Sequence, residues 1–538
     1  MKILYNAQIF APEYPHATAV AIDRGRFLAL GSDTEILDTF SKFGQQINLN
    51  GTTLWPGLTD AHVHLRLLAE SMAMVNCETS TRQTCLLLVK QAADSLPEST
   101  WVRGHGWNQN QWPEGFGTAS QLDNVCGGRP AYLTAKSLHA AWANKEALAR
   151  AGITSHTPDP PGGAIQRDQH GKPTGILFEA GAMRLVESII PAPSTSENIA
   201  KIRAIMPELW KVGMVGIHDF DDYACWLALQ SLYQDGLLQI RVRKHIPFDH
   251  LDVFINAGLR TGFGDDWLDI GGVKLFSDGA LGPQTAAMLK SFEGSQNLGT
   301  LLMDENSLLE IGEHAVAHGI SLAVHAIGDR ANREVLDTFQ RLRAFEKAHG
   351  MPHLRHRIEH VQIIDPADIT RLADLDIIAS VQPIHAPSDM LMADQFLGSR
   401  ADNAYAYRSI LETGATYVMG SDTPVEPFNP FLGLHAAVTR RRVDGSPGAL
   451  GWQPKQRLTL EEAMIGFSHT PAVITGRGNH LGKIAPGYHA DFIILEQDPF
   501  KLDPHELSQI KPQATFIAGE CKYQSEDIHV DLMQSIVE

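Results

Sequence analysis

The sequence predicts an α/β protein built on a (β/α)8 barrel of the TIM type, with β-rich segments at both chain ends. Three observations carry this. Through the middle of the chain, short apolar runs alternate with helical stretches, the pattern of βαβ units. The runs number eight, as a (β/α)8 barrel requires. The two ends lack that alternation and show short strand patterns broken by Gly and Asn.

Residues 1–54 read as all-β, in ILYNAQIF, AVAIDRGRFLALG and QINLNGTTLWP. The first barrel strand lies in TLWPGLTDAHVHL and the second in GMVGIHDF, near 213–220. The third is LQIRVRKHIPF, near 238–248, and the fourth IGGVKLFSDGALG, near 270–282. ISLAVHAIGD near 320–329 and HRIEHVQII near 356–364 are the fifth and sixth. DIIASVQPIHAP near 376–387 and ATYVMGSDTPVEP near 415–427 complete the set. Helical stretches such as SLLEIGEHAVAHG and ANREVLDTFQRLRAFEKAHG separate them. The gap after the first strand is too long for one crossover, so an insertion occupies about 70–210. The expected division is β-rich ends, 1–54 and 480–538, around a barrel of 55–479.

The net charge of −18 argues against a nucleic-acid or anionic-membrane partner. No apolar stretch approaches the ~18–20 residues of a membrane span. The N-terminus lacks the apolar core and cleavage site of a signal peptide. Five scattered cysteines with no CxxC pair read as reduced thiols, which points to the cytoplasm. The expected partner is a small-molecule substrate. Homo-oligomers are common among such barrels, but nothing in the sequence displays an interface.

Histidine totals 24, and many histidines sit at strand ends beside Asp, Glu or Gly. In a barrel that end carries the chemistry. His62 and His64 form an H-x-H pair, and alternate strand residues share a face, so both imidazoles can grip one metal. A bare pair of this kind also arises by chance. Asp60 can orient a ligand or cap a turn. His325 in VHAIGD and His360 in RIEHVQ each end an apolar run, and successive strands each delivering a His strengthen the metal reading. Asp422 in GSDTP places a carboxylate at the mouth, able to touch a metal and accept a proton, or simply to cap a turn. Lys274 lies inside an apolar strand and must be paired or modified; the alternatives are an ion pair with Asp278 or Glu179 and a carbamate formed with carbon dioxide. His218, in GIHDF, is a further mouth candidate.

The motifs GLTDAHVHL, GHGWNQNQWPEG, HAAWANKEAL, GGVKLFSDGALG, VHAIGDRAN, RIEHVQ, GSDTPVEPFNP and GKIAPGYHADFIIL run through almost the whole chain. Together they resemble the amidohydrolase superfamily, in the branch of N-substituted formamide deformylases. The resemblance implies a composite β-sandwich of both termini, 1–54 and 480–538, flanking the barrel, and His62, His64, His325, His360 and Asp422 as metal ligands. It implies that Lys274 is carboxylated and bridges two ions, although some relatives hold one. It also marks His139, Trp107 and Trp142 as substrate-pocket residues, with ordinary packing of the insertion as the alternative. Gln284 departs from the pattern, since relatives often carry an arginine near that place.

The expected activity is hydrolysis of a C–N bond in an amide or N-acyl or N-formyl amine, using one or two divalent ions, Zn²⁺ foremost. Asp422 would move the proton, and His360 or His139 would stabilise the oxyanion. Tryptophans and Phe116 in the insertion suggest a pocket for apolar groups. The alternatives are a mononuclear deaminase or cyclic-amidine hydrolase, a lactone or organophosphate hydrolase on the same scaffold, and a metal-binding protein without turnover.

Overall fold

The computed structural model of the chain describes residues 1–97, 100–526 and 532. Eight strands form one sheet in chain order: β1 Leu58–Val63, β2 Met214–Asp219, β3 Arg241–Pro247, β4 Leu268–Phe276, β5 Leu322–Ala326, β6 Arg357–His360, β7 Ile378–Val381 and β8 Tyr417–Met419. Each neighbouring pair is parallel. The first and last strands then meet, through a parallel bridge between Val63 and Thr423. His64 N donates to Thr423 O at 2.9 Å, and Asp422 N to His62 O at 2.8 Å. Each strand coincides with or overlaps the apolar run that predicted it, because strands covered on both faces read as near-continuous apolar stretches.

The helices between the strands turn one apolar stripe inward. In Asp329–Ala348, Val335, Leu336, Phe339 and Leu342 are buried, at the i, i+4, i+7 spacing of a single face. Each such side chain contributes about 1.5–3 kcal/mol. Helix Thr195–Lys211 lies within the stretch expected to be insertion. Its Ile202, Ile205, Met206 and Leu209 nonetheless share a core with Leu65, Met214 and Ile217. It therefore packs on the barrel next to β2.

Between β1 and that helix stands a mixed six-stranded sheet drawn from 75–76, 102–107, 131–135, 140–143, 164–167 and 173–178. It has two apolar clusters of its own, one around Trp107 and Trp142, the other around Tyr132 and Leu177.

The N-terminus forms a four-stranded sheet from 2–5, 19–23, 26–31 and 45–48. A five-stranded sheet joins 8–9 and 53–56 to 492–495, 514–517 and 520–524. Leu4, Val20 and Phe27 of the first share a core with Phe492, Ile494 and Phe516 of the second. The N-terminal stretch is not all-β. Asp33–Phe40 is a helix, started by a capping box in which Ser32 and Glu35 satisfy each other's backbone N–H. The Ser-x-x-Glu spacing that signals such a start lies in the sequence. Residues 527–531 and 533–538 of the expected sandwich lie outside the described residues. A bidentate, buried ion pair ties the barrel to the C-terminal segment: Arg241 Nε and Nη2 reach Asp491 at 2.5 and 2.9 Å. Among the described residues no helix is long and apolar enough to cross a membrane.

Candidate metal centre

The closure of the barrel builds the centre. β1 delivers His62, β6 ends on His360, and the turn after β8 carries Asp422. One ligand atom from each lies within 4.8 Å of the others, and all three residues are buried. His62 Nε2 stands 3.3 Å from Asp422 Oδ1, and His64 Nε2 3.5 Å from the same oxygen. The backbone is strained where the chemistry converges. His360 (φ 77°) and Asp422 (φ 62°) occupy the left-handed region that non-glycine residues avoid, at about 1–3 kcal/mol each. The approach of β1 to β8 also requires a glycine. A Cβ on Gly420 would lie 2.6 Å from both Asp60 Oδ1 and His62 N.

The ligands are oriented from behind. His62 Nδ1 donates to Glu359 Oε2 at 2.6 Å. Nε2 is thereby left with its lone pair, buried and without a hydrogen-bond partner. A buried, orphaned imidazole nitrogen beside a carboxylate suits a divalent metal ion, and a carboxylate behind the imidazole is the usual orienting partner of a metal-bound histidine. Burial, with Lys274 nearby, lowers the His62 pKa to about 4, so the ring is neutral as a ligand must be. Glu359 itself is held by Arg357, whose Nη2 also reaches Ser380 Oγ at 2.6 Å. Burial raises the cost of its charge, yet Arg357 and His62 hold the Glu359 carboxyl well below the usual range. Asp60 accepts His62 N, two residues on, at 3.0 Å and Ser421 N at 2.9 Å, so it caps the turn at His62 and ties β1 to the segment after β8. Asp221 stands 3.3 Å from His64 Nδ1.

His325 Nε2 donates to Gly279 O at 2.9 Å, leaving Nδ1 as its free nitrogen, and its ring centroid is 4.6 Å from that of His360. Lys274 Nζ sits 4.8 Å from the ring centres of both Phe220 and Phe276. Burial lowers its pKa to about 8. It pairs with neither Asp278 nor Glu179. Asp278 accepts the backbone N–H groups of Ile327, Gly328 and Ala287 at 2.8–3.0 Å, and Glu179 pairs with His139.

His64, Lys274, His325, His360 and Asp422 open onto one cavity of about 760 Å³. The insertion roofs it with His139, whose Nδ1 lies 2.8 Å from Glu179 Oε2. Burial disfavours the His139 cation, but Glu179 outweighs it and raises the pKa. Of three expected pocket residues, two fall elsewhere and Trp107 lines the cavity. Trp142 is fully buried in the insertion, with Gly117 against its ring. Trp107 borders the cavity, but its indole is fully buried, stacked on Trp112, with its N–H on Leu133 O. His218 points into the barrel interior, 3.1 Å from Arg357 Nη1, because side chains alternate along β2. Beside Trp107, the aromatic cavity wall is Phe220, Phe248 and Phe276. Gln284 does not line it; its carbonyl accepts from Asn297.

The sequence reading missed Glu359, Asp221, Gln382 and His385. Gln382 Oε1 lies 3.0 Å from His360 Nδ1, and His385 Nε2 is 3.9 Å from Asp422 Oδ2. The signal for Glu359 was available, since a carboxylate inside an apolar strand must find a partner.

Residues 45–523 match the Amidohydrolase family. The chain belongs to that family. As an amidohydrolase it is a hydrolase on a TIM-type barrel. It is 32% identical to Protein LONG AFTER FAR-RED 3 of Arabidopsis thaliana, over 97% of this chain and 91% of that one. It is 31% identical to YtcJ of Bacillus subtilis (strain 168), over 94% and 96%. It is 28% identical to the N-substituted formamide deformylase of Arthrobacter pascens, over 94% and 95%. Among solved structures, an uncharacterized metal-dependent hydrolase from Pyrococcus furiosus is 26% identical with a TM-score of 0.73, covering 93% of this amidohydrolase and 100% of that chain.

Proposed function

We propose that the protein hydrolyses a C–N bond of an amide or N-formyl amine at a metal held by His62, His64, His325, His360 and Asp422. The observation that carries this reading is the convergence of His62, His360 and Asp422, with the oriented, partnerless Nε2 of His62 facing Asp422. A divalent ion there, Zn²⁺ by its liking for imidazole and carboxylate, would polarise a carbonyl and lower the pKa of water to about 7. The chain's own groups do the rest. Asp422 takes the proton of the attacking water and passes it to the leaving nitrogen. His139, whose protonated form Glu179 favours, faces the cavity as a donor to the developing oxyanion. His360 holds the carbonyl side of the site.

Lys274 supports a second ion. Its lowered pKa leaves more of the uncharged amine, which is the form that captures carbon dioxide. One observation favours a second reading: the group of His, Cys and carboxylate ligand atoms within 4.8 Å omits His325. A single ion with an unmodified lysine would suit a deaminase-like hydrolase. The shared core of the two terminal sheets supports a composite sandwich of 1–54 and 480–538 around the barrel of 55–479. The buried thiols Cys77, Cys85, Cys126 and Cys225 support a cytoplasmic setting.

The test is formate release from N-benzylformamide by zinc-loaded protein and by Asp422→Asn. A loss of about 10²-fold or more in kcat is expected for removing the proton acceptor. Full turnover by the variant would exclude Asp422 as the base.

A further inference from the structure

Outside the metal centre, the cavity's charged groups are paired with one exception. Glu179 is bound to His139, Asp221 to His64, and Glu426 to Lys136 at 3.2 Å. Asp222 meets Arg66 at 3.0 Å, and Asp249 faces Arg184 at 3.8 Å near the mouth. Asp422 belongs to the metal centre. Asp389 differs. Its Oδ2 accepts the Tyr405 hydroxyl at 2.5 Å, and among the described residues no lysine, arginine or histidine nitrogen stands within 4 Å of it.

Asp389 is also well placed. It lies four residues after His385 on helix His385–Leu397, so both project from one face, about one turn of ~5.4 Å apart. Both line the cavity. A chain of contacts holds them in register. Gln362 Nε2 lies 3.0 Å from His385 Nδ1, and Gln362 Oε1 is 3.4 Å from the Tyr405 hydroxyl that binds Asp389. The carboxylate is thus fixed about one helical turn beyond a histidine that itself stands 3.9 Å from Asp422. Burial pushes the Asp389 carboxyl up, while His385 and Tyr405 pull it back toward ionisation. A carboxylate in such a place is costly until a cation meets it. The cavity's cations already have partners: His139 is bound to Glu179, and Arg184 faces Asp249 at the mouth. Lys136 is taken by Glu78 and Glu426, and Lys274 belongs to the metal centre.

Resting on the reading of this cavity as the substrate site, we propose that Asp389 selects substrates bearing an ammonium or similar cationic group near the scissile amide, and that carboxylate-bearing amides are excluded. The ligand supplies the counter-charge that the protein withholds.

Calorimetric titration with benzylamine, benzyl alcohol and benzoate tests this without needing turnover. Wild type should bind benzylamine at least about tenfold tighter than the other two, the worth of one charge-assisted contact. Asp389→Asn keeps an acceptor for Tyr405 and should erase the preference, whereas Asp249→Asn should retain it. A preference that survives Asp389→Asn, or tighter binding of benzoate by wild type, overturns the proposal. Should Asp389→Asn not fold, the wild-type order of the three ligands alone decides. Formate release from N-benzylformamide and its 4-aminomethyl and 4-carboxy derivatives separates the two readings. Turnover without charge preference leaves the hydrolase and removes the anchor. A benzylamine preference lost in Asp389→Asn, with no turnover of any formamide, leaves the anchor and removes the hydrolase.

Discussion

His62 and His64 are two residues apart, yet their surroundings push their protons in opposite directions. His62 faces Lys274 and is buried, so it is neutral. Burial also opposes the charge on His64, but Asp221 and Asp422 outweigh it and hold its pKa at about 9. A metal ligand must be the neutral imidazole. Below about pH 9 metal must therefore displace a proton from His64, and none from His62. Zinc titrated at pH 7.5 in buffers of different ionisation enthalpy should release about one proton from this residue, and affinity should rise with pH before levelling near 9. Affinity independent of pH from 7 to 9 would contradict that assignment. Glu359 makes a second claim at this scale. Glu359→Gln keeps the bond to His62 but removes the charge, and zinc affinity should fall about 10–100-fold by competition with a chelator. The H-x-H spacing was readable from alternation along a strand. The state of each ring was not, because it depends on Glu359, Asp221 and Asp422, which only the folded chain brings near.

The strands and their order were legible because each buried strand is a short apolar run bounded by polar residues. What was not legible is which side of a strand a polar residue faces. His218 reads as a mouth residue because it ends an apolar run, but alternation turns it into the interior, against Arg357. The tryptophans misled for a related reason. Trp107, Trp112 and Trp142 form the insertion's own core, with Trp112 against both of the others, and of the three only Trp107 also reaches the cavity. Gly420 shows what the pairing of strands demands. Gly420→Ala would drive a methyl group into Asp60 and the backbone of His62, so β1 and β8 must separate. Metal content should drop below that of wild type, and the melting temperature should fall with it. Normal metal content in that variant would show that the first and last strands tolerate a wider gap.

At the scale of the molecule, both ends of the chain return to one side of the barrel. Sequence patterns marked both ends as β-rich and only the resemblance joined them; the common core of Leu4, Phe27, Phe492 and Phe516 shows the two terminal sheets packed together. The helix at Asp33–Phe40 escaped notice because eight residues between two strand-like runs leave little periodicity to read. The Arg241–Asp491 pair couples this region to β3. Removing one partner strands a buried charge, at about 3–5 kcal/mol. Asp491→Ala should lower the calorimetric melting temperature of the chain as a whole, and an unchanged transition would mean that the terminal sheets unfold independently. The account as a whole stands on a metal at the barrel mouth. Elemental analysis of the purified, zinc-reconstituted protein is the most direct test, run beside His62→Ala and Lys274→Ala. We predict at least one zinc per chain, lost in His62→Ala, and two falling to one or none in Lys274→Ala if the lysine bridges a pair. No bound zinc in wild type, or the same zinc content in His62→Ala, would contradict it.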